Sequence, residues 1–267
     1  MAKAAGIHAP DVILAEICSY ASKATGEKIV PHIAPNYRDL SHRLDRGSLG
    51  LAWLPPILTI ECDENGVAVP LVLPARKGMA SYYAAFITRK GGPKTLADCK
   101  RRSVVWVDRE SASGYVIPRL HLSALGYDVG SFFSSETFVG DHLAVVNTVL
   151  AGKADFGVTF CNMEAGTKKI VTGGWTEADG RSDKPIHVID VAGPIPNDAI
   201  VASTRLSPAL RASLARWLLG VTPPERELFQ RLFRATGFRV IPDGHFEPLR
   251  HMVRKARVRG FSLPPPA

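Results

Sequence analysis

The chain has 267 residues, of which 46% are apolar and 22% charged, and a formal net charge of +8. That balance is ordinary for a globular chain and excludes wholesale disorder. No apolar run reaches the roughly 18 residues that a membrane-crossing helix needs, and the nearest, Leu49–Ile60, is interrupted by Pro55 and Pro56.

Helical and strand-like stretches alternate along the chain, which predicts an α/β architecture with mostly parallel sheets. Val12–Ala24 is amphipathic, with Asp11 as its expected N-cap and Gly26 as its stop. Lys28–Ile33 is expected as a strand, Tyr37–Arg46 as a helix ending at Gly47, and Leu49–Leu54 as a short buried strand. Ser81–Thr88 follows as a strand, Leu96–Cys99 as a helical turn and Ser103–Val107 as a strand rich in β-branched and aromatic residues. The alternation continues with a helix over Tyr115–Leu125 closed by Gly126 and a strand over Ser135–Phe138. Next come a helix over Leu143–Ala151 closed by Gly152 and a strand over Ala154–Phe160. Trp175–Lys184 is polar and glycine-containing and reads as a loop, between that strand and further strands at Ile186–Val191 and Ala199–Ser203. Pro208–Leu219, Pro224–Thr236 and Phe246–Arg257 are predicted helices, and Pro264–Pro266 a frayed end.

The positive excess suits a small anion, an acidic partner or plain solubility. Much of it lies in Arg250, Arg254, Lys255, Arg257 and Arg259. Neither helix-turn-helix spacing, zinc ligands nor an RNP motif accompanies that run, so it reads as a solvated helix face and tail, with no nucleic-acid partner expected. Cys18, Cys62, Cys99 and Cys161 are far apart and form no CxxC pair. Four cysteines allow three pairings or none, so they leave the compartment open.

The most informative stretch runs from Val104 to Pro118, through Val107-Asp108-Arg109-Glu110-Ser111-Ala112-Ser113-Gly114-Tyr115. A buried strand enters a tight turn of hydroxyl residues and glycine, and a helix follows. That order converges backbone N–H groups and two hydroxyls on one spot, where the helix dipole also favours negative charge. The plainer alternative is that Ser111 or Ser113 is only a helix cap.

Five segments occur in register: Ser81–Phe86, Ser111–Tyr115 with Pro118, Phe138-Val139-Gly140-Asp141-His142, Gly152–Gly157, and Ile195-Pro196-Asn197-Asp198. Together with Leu51–Pro56 they resemble the phosphate/phosphite/phosphonate substrate-binding proteins of ABC importers, over about Pro10–Pro248. The resemblance implies a two-lobed, type II periplasmic-binding-protein-like α/β fold with a two-strand hinge. The expected division is 1–86 and 202–267 for the first lobe, with the basic C-terminal tail, and 87–201 for the second.

The resemblance makes Ser111, Ala112, Ser113 and Gly114 an oxyanion cradle, with Ala112 where many members carry a third hydroxyl. It places Tyr82 or Tyr83 over the site and makes His142 a further donor, although a capping or surface histidine fits the same position. Asp198 corresponds to an acidic position that can face a ligand amine, and a turn aspartate reads equally well there. Members that favour aminoalkyl phosphonates carry a carboxylate just after the strand equivalent to 155–160. Here that place reads Thr159-Phe160-Cys161-Asn162, with Glu164 slightly late, which speaks against strict amine recognition.

The implied function is capture of a small phosphorus oxyanion, a phosphonate, phosphite or phosphate, by a monomer that delivers it to the membrane permease of an ABC importer. Two alternatives remain: an intracellular ligand-sensing module on the same fold, and an enzyme that has adopted it, with Cys161 or His142 acting chemically. No Gly-x-Ser-x-Gly elbow, HExxH spacing or GxxxxGK-type phosphate loop is present, so no catalytic residue, metal or cofactor is expected. The family starts its first lobe with a central parallel strand, whereas only Met1–His8 precede the first helix here, and Ala4, Ala5 and Gly6 form strands poorly. Either these residues make a short strand or the start lies upstream with a signal peptide; we expect the second. Periplasmic or lipid-anchored placement follows from the resemblance, and the absence of a leader in this chain leaves the cytoplasm open.

Overall fold

The computed structural model describes residues 1, 9–75, 81–109, 111–164, 167, 169–176 and 185–260. In chain order the elements are α1 (Pro10–Thr25), α2 (Tyr37–Asp45), β1 (Leu51–Leu54), α3 (Pro56–Glu64), β2 (Ala68–Pro74), β3 (Ser81–Arg89) and β4 (Ser103–Trp106). They continue with α4 (Ile117–Leu125), β5 (Ser135–Phe138), α5 (His142–Leu150), β6 (Phe156–Met163), β7 (Ile170–Gly173) and β8 (Ile186–Pro196). The last are β9 (Ala199–Ser203), α6 (Pro208–Leu219), α7 (Pro223–Phe233), β10 (Phe238–Arg239) and α8 (Glu247–Val258). A 3₁₀ turn covers Ala97–Cys99, and a π-helical turn, Ala112–Val116, leads into α4.

The chain divides into two compact units, Met1–Ala80 with Asn197–His245, and Ser81–Pro196 with Phe246–Ala267. The changeovers thus fall a few residues before the expected 86 and 201. The C-terminal helix groups with the second unit rather than with the first lobe, because the buried Leu249, Val253 and Ala256 of α8 form its inner face and the helix lies on α4 and β8.

In the first unit a four-stranded sheet has the order β1-β9-β2-β10, and all its pairings are antiparallel. Ile13, Leu14, Ile17 and Cys18 of α1 meet Trp53, Ile200, Leu218, Phe229 and Leu232 in its core. Trp53 stacks flat on Phe233, with ring centroids 4.0 Å apart. The helix ends as expected at Gly26, whose φ of 76° suits glycine. Asp11 is not the cap: the N-cap residue is Ala9, and Asp11 lies in the first turn, where its charge favours the helix dipole.

Lys28–Ile33 is not a strand. Pro31 has no N–H to give a ladder, and the Ile29 N–H is taken by Ser22 Oγ of α1 at 2.9 Å. Four elements were not foreseen, α3, β2, β7 and β10. The helix α3 starts at the second of two prolines, a position where the missing N–H costs nothing. The strand β2 carries Pro70 and tolerates it at a register shift against β9, between Pro70 and Val72. Of Met1–His8, where a short strand was the less favoured alternative, only Met1 is described, and its carbonyl accepts a hydrogen bond from the Ala34 N–H at 2.8 Å. The Pro264–Pro266 end and most of the Trp175–Lys184 loop lie outside the described residues.

The second unit carries a sheet of order β5-β4-β6-β3-β8, with β7 added to β6. Only β4 with β5 and β4 with β6 are parallel; the other pairings described are antiparallel. The expectation of mostly parallel sheets is therefore corrected. Alternation of helix and strand reveals element order, but strand direction depends on whether the chain crosses over or returns, and β3, β8 and β9 all return. Ala85, Ile87, Val105 and Val107 meet Val145, Val146 and Val149 of α5 on one face. On the other face Trp106 meets Tyr115 and Phe133 edge-on, and Phe86 meets His121 of α4.

Candidate functional site

The parallel trio β5-β4-β6 gathers its carboxyl ends at one edge of the second unit, the place where open α/β sheets commonly bind ligands. Val107, just beyond β4, ties two turns together there. Its N–H donates to the Gly114 carbonyl at 3.4 Å, and its carbonyl accepts from the Gly140 N–H at 2.8 Å. The Ser111–Gly114 turn and the Gly140–His142 turn therefore flank the same backbone position.

Ser111 is the N-cap of the π-helical turn, and its Oγ accepts from the Gly114 N–H at 3.0 Å. Its carbonyl accepts from the N–H groups of Tyr115 and Val116 at 3.1 and 3.0 Å. The cap reading of Ser111 is thus correct. The amides of Ala112 and Ser113 and the hydroxyl of the buried Ser113 have no acceptor among the described residues. Two N–H groups and a hydroxyl at the mouth of a helix are donors of the kind that can serve an anion.

His142 opens α5, which is capped by Asp141 Oδ1 accepting from the Ala144 N–H at 2.8 Å. The capping role thus falls to Asp141. The His142 Nδ1 lies 3.0 Å from Thr159 Oγ1, and Nε2 has no partner among the described residues. Burial pushes the His142 pKa below 6.5, against the nearby Asp108 and Asp141 carboxylates, which pull it up. The shift favours the neutral imidazole.

Tyr83 lies opposite Cys161 in the β3–β6 ladder and packs on the face that carries α5, the face of Val105 and Val107. Tyr82, by strand alternation, projects to the other face. The two tyrosines thus separate, and Tyr83 is the one that shares a face with Val107. Asp198 belongs to the first unit. Its Oδ2 accepts from the Trp53 indole N–H at 2.9 Å, which gives the carboxylate a structural task there.

Behind the cradle stands a cluster with no sequence signal beyond its aromatic content. Trp106 Nε1 donates to Glu136 Oε2 at 2.8 Å, and the same oxygen pairs with Arg119 at 2.7 Å. The Arg119 guanidinium lies 5.1 Å over the Tyr115 ring, and that of Arg109 lies 4.6 Å over Phe138. Asp155 staples the start of the parallel pair, since its Oδ2 accepts from both the N–H and the hydroxyl of Ser103, at 2.9 and 2.7 Å. The Ser103 hydroxyl holds the Asp155 carboxyl below the usual carboxylate range.

Cys161 is fully buried and its thiol is pushed up to about 12 by that burial, so it carries no thiolate at neutral pH. No cluster of His, Cys, Asp and Glu suited to a metal occurs among the described residues, and none of their helices is long and apolar enough to cross a membrane.

Solved structures share this fold. A Xanthomonas citri protein bound to ATP superposes with a TM-score of 0.73 at 20% identity, covering 95% of this chain and 96% of that one. A binding-protein component of an ABC phosphonate transporter from Pseudomonas aeruginosa gives 0.64 at 17% identity, covering 94% and 82%. PhnD1 from Prochlorococcus marinus in complex with methylphosphonate gives 0.60 at 16%, covering 90% of each. Those likenesses establish the two-lobed periplasmic-binding-protein fold. Residues 13–246 match the family model described as ABC transporter, phosphonate, periplasmic substrate-binding protein. The family indicated by the five sequence motifs is thus the family matched over most of the chain, and this protein belongs to the phosphonate substrate-binding proteins of ABC transporters.

Proposed function

We propose that this protein captures a small phosphorus oxyanion, a phosphonate, phosphite or phosphate, and presents it to the permease of an ABC importer without altering it. The observation that carries the reading is the set of unclaimed donors beside Val107: the Ala112 and Ser113 amides, the Ser113 hydroxyl and the His142 imidazole. Hydrogen bonds to a charged acceptor contribute about 1.5–3 kcal/mol each, so such a set holds a tetrahedral anion without any metal. Tyr83, which shares the α5 face with Val105 and Val107, would cover the anion from that face. Membership of a periplasmic family supports action outside the cytoplasm.

The test is thermal denaturation in millimolar phosphate, phosphite, methylphosphonate and 2-aminoethylphosphonate. A ligand at 100 times its Kd adds about 2.7 kcal/mol of stability, so at least one of the four raises the melting temperature. No shift with any of them overturns the reading.

A second reading is that the anion is the phosphate chain of a nucleotide. The ATP bound to the similar Xanthomonas citri protein favours it. So does Arg109, whose exposed guanidinium lies over Phe138 with no carboxylate beside it among the described residues. A larger shift with ATP than with the four small anions selects this reading.

A further inference from the structure

We propose that Thr159 is a positioning residue that fixes His142 as the neutral tautomer protonated on Nε2, so that the imidazole meets the oxyanion as an uncharged hydrogen-bond donor. The role towards the anion rests on the reading just given, whereas the tautomer is a property of the unliganded protein.

Thr159 lies in the middle of β6 with 0% of its surface exposed, and its hydroxyl proton must find an acceptor or be buried unpaired. Among the described residues its hydrogen-bond partner is His142 Nδ1, at 3.0 Å. Gly174, whose N–H donates to the Phe160 carbonyl at 3.0 Å, closes over the hydroxyl so tightly that any side chain there would collide with Thr159 Oγ1. Water is thereby kept from that side.

Two neutral tautomers then compete. If Nδ1 carries the proton, it points at the threonine oxygen, and the hydroxyl proton is turned towards apolar surroundings. If Nε2 carries it, Nδ1 is a bare lone pair that accepts the hydroxyl proton, and both groups are satisfied. The second arrangement leaves no buried donor unpaired and is favoured. It also leaves Nε2, which has no partner among the described residues, as an N–H donor on a ring at the N-terminus of α5. The cationic form would again place a proton on Nδ1 and strand the hydroxyl, which agrees with the downward pKa shift that burial produces. The groups facing the ring include Asp108 from the turn after β4, Asp141 from its own helix, and Phe160 from β6, whose ring stands edge-on at 5.0 Å. Both carboxylates oppose the shift, so the neutral state owes itself to burial.

The sequence contains no trace of this pairing in local spacing, since the partners lie 17 positions apart. It depends on α5 returning over β6, with Thr159 on the same strand face as Gly157 and Cys161.

Long-range ¹⁵N–¹H correlation of the imidazole in the ligand-free full chain decides the tautomer, compared among wild type, Thr159→Ser and Thr159→Val. Wild type and Thr159→Ser are expected to show Nε2–H with an unprotonated Nδ1. Thr159→Val keeps the β-branched shape but removes the hydroxyl, and is expected to give a mixture of tautomers. Its affinity for inorganic phosphate or methylphosphonate should fall on the order of tenfold, with recovery in Thr159→Ser. An Nδ1–H tautomer in wild type overturns the proposal, as does an unchanged Nε2–H population in Thr159→Val at unchanged affinity. If the tautomers behave as expected but no anion moves the His142 resonances or the melting temperature, the Thr159 assignment stands and the oxyanion reading falls.

Discussion

A β-carbon on Gly114 would lie 2.6 Å from Val107 Cβ and 2.7 Å from Ser111 Oγ. The turn after β4 closes onto its own strand at a distance that excludes every side chain, and the Ala112 and Ser113 amides lie within this closed turn. The requirement is steric rather than conformational, for the backbone of Gly114 lies within a right-handed helical turn.

Gly114→Ala is accordingly expected to destabilise the fold by about 1–3 kcal/mol, the usual penalty for forcing an extra carbon into a packed site. It should also abolish the thermal shift with methylphosphonate, since relief of the clash must move Ser111 or Val107. Chemical denaturation and the anion titration together check it. A variant as stable as wild type that still binds would show that the turn can open at no cost.

Ser113→Ala removes the hydroxyl of a buried serine, which shows no hydrogen bond among the described residues. Because nothing in the fold depends on that hydrogen bond, stability without ligand should be nearly unchanged. Affinity for phosphate or methylphosphonate should drop by about 1–3 kcal/mol in calorimetry. Equal affinity would remove Ser113 from the site.

Acid should weaken the protein through His142. Its folded-state pKa lies below 6.5, so as pH falls the unfolded chain takes up a proton before the native chain does. The stability it provides is complete above about 6.5 and is lost as pH drops from there towards the folded value. His245 is shifted in the same direction by burial and Arg239, and adds to the same slope. Urea denaturation between pH 5 and 8 should therefore show a shallower acid-side loss in His142→Asn than in wild type, with the remainder due to His245. Identical slopes would place the His142 pKa near its free value.

Few carboxylates occupy the positions considered for a ligand amine. Asp198 already accepts from Trp53, the strand segment Thr159–Asn162 carries none, and Glu164 is exposed with Thr167 beside it. An ammonium taken out of water needs compensating acceptors, so methylphosphonate, phosphite or phosphate should bind at least as tightly as 2-aminoethylphosphonate. Calorimetry with the four ligands checks it; a preference for the amine above about tenfold, or 1.4 kcal/mol, would mean that Asp198 forms an amine pocket. Asp198→Asn keeps an oxygen for the indole N–H and should cost little stability, whereas Asp198→Ala should cost about 1–3 kcal/mol.

The elements most legible in the sequence are those whose signals are local. Ala199–Ser203 and Pro208–Leu219 have the expected bounds; the first is a run of small and β-branched residues, and the second begins in the structure with Ser207 as its cap and Pro208 in the first turn. Prolines misled in the opposite sense at α3 and β2, where the surrounding sheet and cap absorb the missing N–H groups. The capped turn before α4 could be placed from the order strand, hydroxyl turn, helix. Relationships made by the sheet could not, because register, not spacing, sorts Tyr83 from Tyr82 and brings Thr159 to His142. Asp198 shows a third case, in which a partner 145 positions away gives a carboxylate its task.

All four cysteines are reduced and buried, and Cys99 and Cys161 are pushed up to about 12. The native chain is therefore chemically silent towards thiol-directed dyes under folding conditions. A single cysteine introduced at Leu143, which is 38% exposed beside His142, would be the sole reactive thiol without deleting any native one. A fluorophore attached there would convert the protein into an optical reporter of whichever anion it takes up.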